Sequence, residues 1–376
     1  MASETPAEDA VQAQILKELD PTAYACTSLR KLSGGTANYI FQGQLKNTLS
    51  DGTFQVVIKH GEAFSASSTS LKLPTKRCIL EKDSLAVVRN LPAATSSSCS
   101  VRTPRLLDFI STSNTQVLEC LPESLNLKAY VLKHYSSTAA SSLKQPMIEV
   151  GRGLGRWLRS FHDWAASPAQ RDHFCALARK NTEMRDIKFK YNYELLLARV
   201  DAHPDLLSTA KTVFEQVLSM IRAELQDDEK LQAIHGDFWT GNILLPDTRI
   251  ESDRQTPLFV IDWEMVQLWL PQLDLGQMIA ELYELHLYKN ITAGLWLIEG
   301  FVAGYGFVSD DFALRTALHV GTHLVGFGSM VPGWGTAQQA RNVVEVGRDI
   351  VLRAWDKDTD WFQNHDLARL FQHVTD

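Results

Sequence analysis

Residues 234–245 read IHGDFWTGNILL and residues 257–264 read PLFVIDWE. His235, Asp237 and Asn242 stand at H-x-D-x-x-x-x-N spacing, which is typical of a phosphoryl-transfer loop, and the second stretch predicts a strand that ends near Asp262. Such chemistry needs one carboxylate at the proton of an attacking hydroxyl, and an amide and a second carboxylate that bind Mg²⁺. We therefore predict Asp237 as the catalytic base, Asn242 and Asp262 as metal ligands, and His235 as a brace for the loop backbone.

Composition sets the class of protein. The chain has 376 residues, of which 45% are hydrophobic and 22% charged, so it is long enough for two lobes with a substantial core. No apolar run approaches the roughly 18 residues that cross a bilayer, and residues 1–10 lack the basic and apolar regions of a secretory signal. We therefore expect a cytoplasmic protein with no membrane partner. The five cysteines are scattered without C-x-x-C spacing, which indicates reduced thiols.

The net charge of −7 argues against nucleic acid as a partner. Most of the excess acid lies after residue 120, where it favours a neutral or cationic small-molecule acceptor or is simply surplus surface charge. The sequence leaves both explanations open, and it is compatible with a monomer or a homodimer.

The first third of the chain predicts an antiparallel meander with strands at 29–32, 38–45 and 54–60. The first turn, Ser33-Gly34-Gly35-Thr36, suits a phosphate because glycines let backbone N–H groups approach an anion, although such a turn is also an ordinary hairpin. The third strand ends as VVIK at Lys59, the context of a lysine that binds nucleotide phosphates.

A helix predicted at 76–90 carries Glu81 on the same face as Leu85 and Val88. A carboxylate on a buried face needs a partner, so we expect an ion pair with Lys59; a solvated glutamate is the alternative. Two more strands are predicted at 101–110 and 116–121. The second leads into a hinge, in which the backbone from Glu119 to Leu121 is expected to meet an adenine edge.

After Leu121 the periodicity is mainly helical, which predicts an α+β fold in two lobes. We expect a disordered tail at 1–10, an N-terminal nucleotide-binding lobe at 11–121 and a C-terminal catalytic and acceptor-binding lobe at 122–376. A buried helix is predicted at 146–164. Its glycines do not follow a strand, so we interpret them as small residues for close helix packing and not as a nucleotide motif.

The two opening stretches resemble the aminoglycoside phosphotransferase and choline kinase family of protein-kinase-like small-molecule kinases. LSGGTANY at 32–39, VIKHG at 57–61 and LDLG at 273–276 are most similar to its methylthioribose-kinase-like branch. The resemblance covers about residues 29–353.

This resemblance implies a bilobal protein-kinase-like fold, ATP and Mg²⁺ as cofactors, and transfer to a hydroxyl of a small molecule. It places Gly34, Gly35 and Asn38 at the phosphate loop, Lys59 on the phosphates with Glu81 as its partner, Asp237 as base, and Asn242 and Asp262 as metal ligands. The chain lacks an Ala-Pro-Glu segment, which argues against a protein substrate.

One departure from the family concerns the acceptor. Methylthioribose kinases carry an arginine pair where this chain has Thr322-His323, which argues against a thiosugar and leaves an amino alcohol, a hydroxylated aromatic amine or another sugar. The candidates for the acceptor pocket, each of which also suits core packing, are Trp239, Trp263, Glu264, His323 and Trp334.

Two other functions are compatible with the motifs. A nucleotide-binding pseudokinase would keep the fold without transfer, and an antibiotic-inactivating phosphotransferase would use the same residues on a different acceptor.

Overall fold

The computed structural model describes residues 6–135, 143–251 and 254–372. The strands in these ranges are β1 (Cys26–Lys31), β2 (Tyr39–Leu45), β3 (Gln55–His60), β4 (Phe64–Ser65), β5 (Ser68–Lys72), β6 (Ala94–Thr95), β7 (Cys99–Arg102), β8 (Leu106–Ile110), β9 (Thr115–Glu119), β10 (Ser124–Asn126), β11 (Gln232–Ile234), β12 (Ile243–Pro246), β13 (Thr256–Val260) and β14 (Gln267–Trp269).

The α-helices are α1 (Pro6–Leu19), α2 (Lys76–Val88), α3 (Leu127–His134), α4 (Lys144–Ala166), α5 (Pro168–Arg171), α6 (Phe174–Ala178), α7 (Thr182–Phe189), α8 (Leu195–Ala202), α9 (Pro204–Leu207), α10 (Lys211–Glu224), α11 (Gln272–Lys289), α12 (Ala293–Tyr305), α13 (Asp310–His323), α14 (Ala337–Trp355) and α15 (Thr359–Gln363). Two π-helical turns, Lys190–Glu194 and Leu324–Gly328, follow α7 and α13. Short 3₁₀ turns lie at Ser208–Ala210, Thr240–Asn242, Trp263–Met265 and Ala368–Phe371.

The chain divides into two compact units. The first comprises residues up to Asn90 together with Thr103–Glu123, and the second comprises Leu91–Arg102 together with Ser124–Asp376. An antiparallel sheet in the first unit and a mainly helical second unit confirm the predicted α+β class.

The first unit is built on a five-stranded antiparallel sheet in the order β1-β2-β3-β9-β8. Burial alternates along β2, whose odd-numbered positions point inward, as expected for a sheet with one covered face. These side chains form a core with α1, whose fully buried members include Ile15, Phe41, Val56 and Ile58. The predicted meander is therefore present, and residues 61–75, which follow it, contain the hairpin of β4 and β5.

The first helix begins earlier than predicted. Residues 6–10, which we expected to be disordered, form the first turns of α1, while residues 1–5 lie outside the described residues. Proline is favoured at the first helical position, and the acidic Glu8 and Asp9 stabilise the positive end of the helix dipole. Glu8 is also paired with Lys31 at 2.5 Å, which ties the helix to β1.

The second unit contains a mixed sheet in the order β10-β12-β13-β7-β6 and a two-stranded pair of β11 and β14. Its strand β7 runs parallel to β13, with Val101 opposite Leu258, and both side chains are fully buried. The sequence-based lobe boundary is thus wrong for 91–102, because a parallel partner more than 150 residues away recruits this segment to the second unit.

Glycines bring α4 and α12 into close contact. An added Cβ at Gly151 would lie 2.3 Å from the carbonyl oxygen of Leu297, and one at Gly155 would lie 2.0 Å from that of Phe301. This confirms the interpretation of these glycines as packing residues. The helix α4 carries His162 toward α11, which is almost entirely buried and contacts the 235–242 loop described below.

Candidate active site

In the first unit, the turn between β1 and β2 requires glycine at both predicted positions, for different reasons. Gly34 has a φ of +105°, which L residues rarely adopt, whereas an added Cβ at Gly35 would lie 2.8 Å from the carbonyl oxygen of Asn38. The Asn38 side chain is buried, and its Oδ1 accepts a hydrogen bond of 2.9 Å from Arg77. This contact fixes the end of the turn; phosphate binding by the three residues stays a prediction.

The predicted ion pair between Lys59 and Glu81 is present. Lys59 Nζ lies 2.7 Å from Glu81 Oε1, and both side chains are buried. The other oxygen, Oε2, accepts a hydrogen bond of 2.8 Å from Gln116, which stands opposite Lys59 in the β3–β9 ladder. Glu81 therefore contacts β3 through Lys59 and β9 through Gln116, and these two contacts fix the direction of the lysine.

The end of β9 was predicted to reach the adenine. Here the backbone of Glu119 donates to the carbonyl oxygen of Arg105 at 2.9 Å, and its carboxylate accepts from the Arg105 backbone N–H at 3.0 Å. Leu121 follows the strand and is half-buried. The role of both residues at a nucleotide stays a prediction.

In the second unit, the loop between β11 and β12 is held from below by Asp274 of α11. This buried carboxylate accepts the backbone N–H groups of His235 and Gly236, both at 2.9 Å, and receives His162 Nε2 at 3.1 Å. Gly236 has a φ of +79°, and an added Cβ there would lie 2.2 Å from the carbonyl oxygen of Met265. Only glycine fits this turn, which presents Asp237.

His235 lies beneath the same loop. Its Nε2 donates to the carbonyl oxygen of Ile261 at 3.1 Å, and its Nδ1 accepts the backbone N–H of Asp237 at 3.3 Å. Because Nδ1 accepts a hydrogen bond, these contacts require a neutral ring, and burial, which holds the pKa of His235 below its ordinary value, favours that form. The geometry is that of a brace between two chain segments.

Asp237 accepts hydrogen bonds at both carboxylate oxygens. Lys188 Nζ at 3.1 Å and Gln277 Nε2 at 2.8 Å approach Oδ1, and Trp239 Nε1 and Asn242 Nδ2, each at 3.1 Å, approach Oδ2. Burial opposes ionisation, but the charge of Lys188 and the hydrogen bonds from Gln277 and Lys188 outweigh it, so the pKa of Asp237 is lowered. The side chain keeps 27% of its surface exposed, so a small molecule can reach it.

The predicted metal ligands lie at one end of the β12–β13 pair. Asn242 immediately precedes β12, its carbonyl oxygen accepts the Ile261 backbone N–H at 3.0 Å, and Asp262 is the next residue. The Asn242 amide nitrogen is turned toward Asp237, which leaves its amide oxygen for another partner. An amide oxygen beside a carboxylate is a donor set that suits Mg²⁺. Asp262 has a φ of +67°, a conformation that aspartate tolerates and that is common at functional sites.

A polar stripe runs along α11 at spacings of three, four and three residues, which places its members on one helix face. Its members are Asp274, Gln277, Glu281 and Glu284, and all are buried. Asp274 holds the loop and Gln277 holds Asp237. Glu281 Oε2 lies 3.4 Å from Thr240 Oγ1, so the stripe follows the catalytic loop and continues beyond it.

Beyond the loop, the stripe meets a group of residues that we call the cation cluster: Lys128, Trp239, Glu281, Glu284, His323 and Trp334. Lys128 Nζ lies 2.5 Å from Glu281 Oε2 and stands over the rings of Trp239 and Trp334, at 5.1 and 4.7 Å from their centroids. His323 Nε2 lies 3.3 Å from Glu281 Oε1 and 3.5 Å from Glu284 Oε1. Neither oxygen of Glu284 has a hydrogen-bond partner among the described residues.

The charges of the cluster are mutually dependent. Burial would lower the pKa of His323, but its contacts with the carboxylates of Glu281 and Glu284 outweigh burial and raise the pKa to about 9. Burial and the neighbouring charge of Glu281 raise the pKa of Glu284. For Glu281, burial is outweighed by His323 and Lys128, and the pKa is lowered. Glu284 is thus the more weakly paired of the two carboxylates, because it faces His323 at 3.5 Å and shares this cation with Glu281.

Three of the five predicted acceptor residues, Trp239, His323 and Trp334, belong to this cluster. Trp263 does not: it is fully buried, its ring centroid lies 4.6 Å from that of His235, and its Nε1 donates to the carbonyl oxygen of Val260. We therefore correct its assignment to the acceptor pocket, because it is a core residue beneath the loop. Glu264 is buried, and its carbonyl oxygen accepts from Asn181 at 2.8 Å; an acceptor role for it stays a prediction.

Sequence reasoning missed several residues that contact the loop or continue the polar stripe beyond it: Lys128, Lys188, Asp274, Gln277, Glu281 and Glu284. The regular spacing of the four α11 residues in an otherwise apolar segment was a usable signal, since exposed acids rarely keep that register. Lys188 carried no such signal, because a lysine on a helix usually faces solvent.

The fold and these residues define a protein-kinase-like phosphotransferase. The family model described as "Phosphotransferase enzyme family" matches residues 45–313, so the chain belongs to that family. Its similarity to proteins named as kinases and phosphotransferases identifies it as a small-molecule kinase.

Similar proteins include the phosphotransferase FrzJ of Cladobotryum sp, 29% identical over 94% of each chain. The 4-hydroxytryptamine kinase of Psilocybe cyanescens is 22% identical over 86% of each chain. Among solved structures, the Plasmodium vivax ethanolamine kinase superposes with a TM-score of 0.51 at 11% identity, over 94% of this chain and 89% of that one, which is a likeness of fold.

No helix in the described part of the chain is both long and apolar enough to span a bilayer.

Proposed function

We propose that this protein transfers the γ-phosphoryl group of ATP to a hydroxyl of a small molecule that carries a basic amine. The observation that supports the reaction best is the setting of Asp237. A partly exposed carboxylate is oriented by four donors, in a loop that Asp274 holds by two backbone N–H groups. Such preorganisation serves a hydroxyl that must be aligned for attack.

In this reaction the acceptor oxygen forms a bond to the γ-phosphorus while the bond from that phosphorus to the β,γ-bridging oxygen breaks, and ADP leaves. Asp237 orients the acceptor hydroxyl and receives its proton, which it later passes to solvent. The low pKa of Asp237 suits a loose transition state, in which the proton is transferred late and orientation contributes more than basicity.

The nucleotide is assigned to the residues that the motifs predict. Lys59, held by Glu81, would bind its phosphates, the turn of Gly34, Gly35 and Asn38 would cover them, and the backbone at Glu119 and Leu121 would contact the base. Asn242 and Asp262 would hold Mg²⁺, whose chemistry is to offset the phosphate charge during transfer.

The cation cluster supports an amine on the acceptor. Two carboxylates and two tryptophan rings make the environment in which ammonium groups bind, and Lys128 already places an ammonium group there. Glu284 is fully buried and faces the His323 cation at 3.5 Å, so an ammonium group that came closer would add a charge-assisted hydrogen bond. Trp239 Nε1 donates to Asp237 Oδ2 at 3.1 Å, so the cation cluster lies next to the Asp237 carboxylate. One small molecule could therefore place an amine at the cluster and its reacting hydroxyl at Asp237.

The relatives from Psilocybe are named for an acceptor that carries both groups, which supports the same class here. A neutral sugar would leave Glu284 with only its 3.5 Å contact to His323, so we favour an amino alcohol or a hydroxylated aromatic amine. An antibiotic acceptor would require the same cluster. The screen described next distinguishes it from an amino alcohol or a hydroxylated aromatic amine.

The test is a screen of amino alcohols, hydroxylated aromatic amines, aminoglycosides and neutral sugars, with the gain of one phosphoryl mass as the readout. We expect Mg²⁺-dependent product with ATP and an amine-bearing alcohol. Absence of product across the whole set, with nucleotide binding retained, would contradict transfer and favour a pseudokinase. Protection of cells from aminoglycosides would favour the antibiotic acceptor.

The amine is tested by Glu284→Gln with the best acceptor and its N-acetylated form. We expect the substitution to raise KM for the amine about tenfold or more, because a charge-assisted hydrogen bond is lost, and to leave KM for the neutral form unchanged. Glu345→Gln, at an exposed position on α14, is the control. Equal effects of Glu284→Gln on both acceptors would contradict the assignment.

A further inference from the structure

Lys188 and Gln277 converge on one oxygen of Asp237. Lys188 Nζ lies 3.1 Å from Asp237 Oδ1 and 2.7 Å from Gln277 Oε1, and Gln277 Nε2 lies 2.8 Å from the same Oδ1. The three polar groups form a closed triangle. Lys188 comes from α7 and Gln277 from α11, so two helices fix the triangle, and only 7% of the Lys188 side chain is exposed.

The two oxygens of Asp237 have donors of different strength. Oδ1 accepts from a cation and an amide, whereas Oδ2 accepts from the neutral N–H groups of Trp239 and Asn242 at 3.1 Å each. A carboxylate has about four lone-pair positions, and these donors use them all. An acceptor hydroxyl must therefore share or replace one donor, and a neutral hydrogen bond is about half as strong as a charge-assisted one.

We propose that Lys188 is a positioning residue for phosphoryl transfer: with Gln277 it anchors Asp237 Oδ1, so that Oδ2 is the oxygen that receives the acceptor hydroxyl. This assignment rests on the proposed function, in which Asp237 orients that hydroxyl. On binding, the hydroxyl replaces the indole N–H of Trp239 at Oδ2. The anchored oxygen does not move, and the plane of the carboxylate is retained.

The helix that carries Lys188 is built unusually. Directly after α7 the chain makes the π turn Lys190–Glu194, which packs against the second π turn, Leu324–Gly328. An added Cβ at Gly326 would lie 3.9 Å from the carbonyl oxygen of Asn192, so the two turns pass close to each other. Each π turn inserts an extra residue and resets the helix face, a feature concentrated at functional sites. One turn follows Lys188 closely, and the other follows His323 of the cation cluster.

The test is steady-state kinetics of Lys188→Met, Lys188→Arg and Lys190→Met with the acceptor found for the wild-type enzyme. Lys190 is the control because it is exposed and only two residues away. We expect Lys188→Met to lower kcat about 100-fold with KM for ATP within about twofold, since misplacement of a reacting group by about 1 Å has that effect. Lys188→Arg, which keeps the charge, should have a kcat at least about tenfold higher than that of Lys188→Met. The kcat of Lys190→Met should equal that of the wild type.

A second measurement separates positioning from a structural role. In an Asp237→Asn background, Lys188→Met should lower kcat by no more than about twofold further, because Lys188 acts through the group that is already lost. Equal losses in both backgrounds, an unchanged kcat in Lys188→Met, or no recovery by arginine would each overturn the positioning role. If the wild-type enzyme transfers phosphate and one of these contradicting outcomes is found, only the positioning role of Lys188 falls. If the wild-type enzyme transfers none, the proposed function falls and this role with it.

Discussion

Asp274 and Gly236 are joined by a hydrogen bond of 2.9 Å between a fully buried carboxylate and a backbone N–H of the catalytic loop. The second Asp274 oxygen binds the preceding N–H of His235 at the same distance. The loop that presents Asp237 is therefore fixed by a side chain from α11, and its shape depends on a residue that touches no reacting atom.

Asp274→Asn should loosen this loop. Its amide must place an NH₂ group against a backbone N–H or against His162, which leaves a buried donor unmatched. We expect a loss of about 1–3 kcal/mol in the free energy of unfolding, measured by chemical denaturation, and a lower kcat. Asp163→Asn, at an exposed position, is the control. Wild-type stability and kcat in Asp274→Asn would contradict this account of the loop.

Gly236→Ala should disable the loop for a steric reason. Both Gly236 and Gly52 have positive φ, +79° and +85°, but an added Cβ meets Met265 at Gly236 and nothing within 4 Å at Gly52. Gly52→Ala is thus a matched control that carries only the backbone strain, on the order of 1 kcal/mol in stability. We expect kcat to fall about 100-fold in Gly236→Ala and to be unchanged in Gly52→Ala. Similar kcat values in the two variants would mean that close packing is not required.

The pair of Lys59 and Glu81 should show strong coupling. Removal of either partner leaves the other charge buried without its counter-ion. Lys59→Met and Glu81→Leu should therefore each lower the free energy of unfolding by about 3–5 kcal/mol. The double variant should cost clearly less than the two losses together, because no unmatched charge remains. The denaturation midpoints of the three variants measure the coupling, and additive losses would contradict a direct interaction.

His323 gives a pH dependence with a defined sign. Its pKa rises from an ordinary value of 6.5 to about 9 in the fold, where Glu281 and Glu284 of α11 face it and Lys128 of α3 balances Glu281. Its stabilisation is therefore complete below about pH 6.5 and is lost as the pH rises through about 9.

The check is the difference in unfolding free energy between the wild type and His323→Gln across this range. We expect the difference to shrink by up to about 3 kcal/mol between pH 6.5 and 9.5. A difference that stays constant with pH would show that His323 is not charged in the fold.

Local sequence patterns placed Asp237 and Asn242 in one loop, because they lie five residues apart, and the structure brings their side chains into contact. Their catalytic roles stay a proposal. The Lys59–Glu81 pair was also predictable, since a carboxylate on an apolar helix face needs a cation. Lys188 was not, because its contact with Asp237 joins segments 49 residues apart and depends on the packing of α7. The placement of β7 in the N-terminal lobe was wrong for the same reason, because a short apolar strand does not specify which distant strand it pairs with.

The most direct test of the central claim is phosphoryl transfer by Asp237→Asn, with Asp228→Asn at an exposed position as the control. Product is measured by mass with saturating ATP, Mg²⁺ and the best acceptor from the screen, and native folding is checked by the thermal transition. The account predicts a fall in kcat of at least about 100-fold in Asp237→Asn and no change in Asp228→Asn. A folded Asp237→Asn variant that transfers the phosphoryl group at the wild-type rate would contradict it.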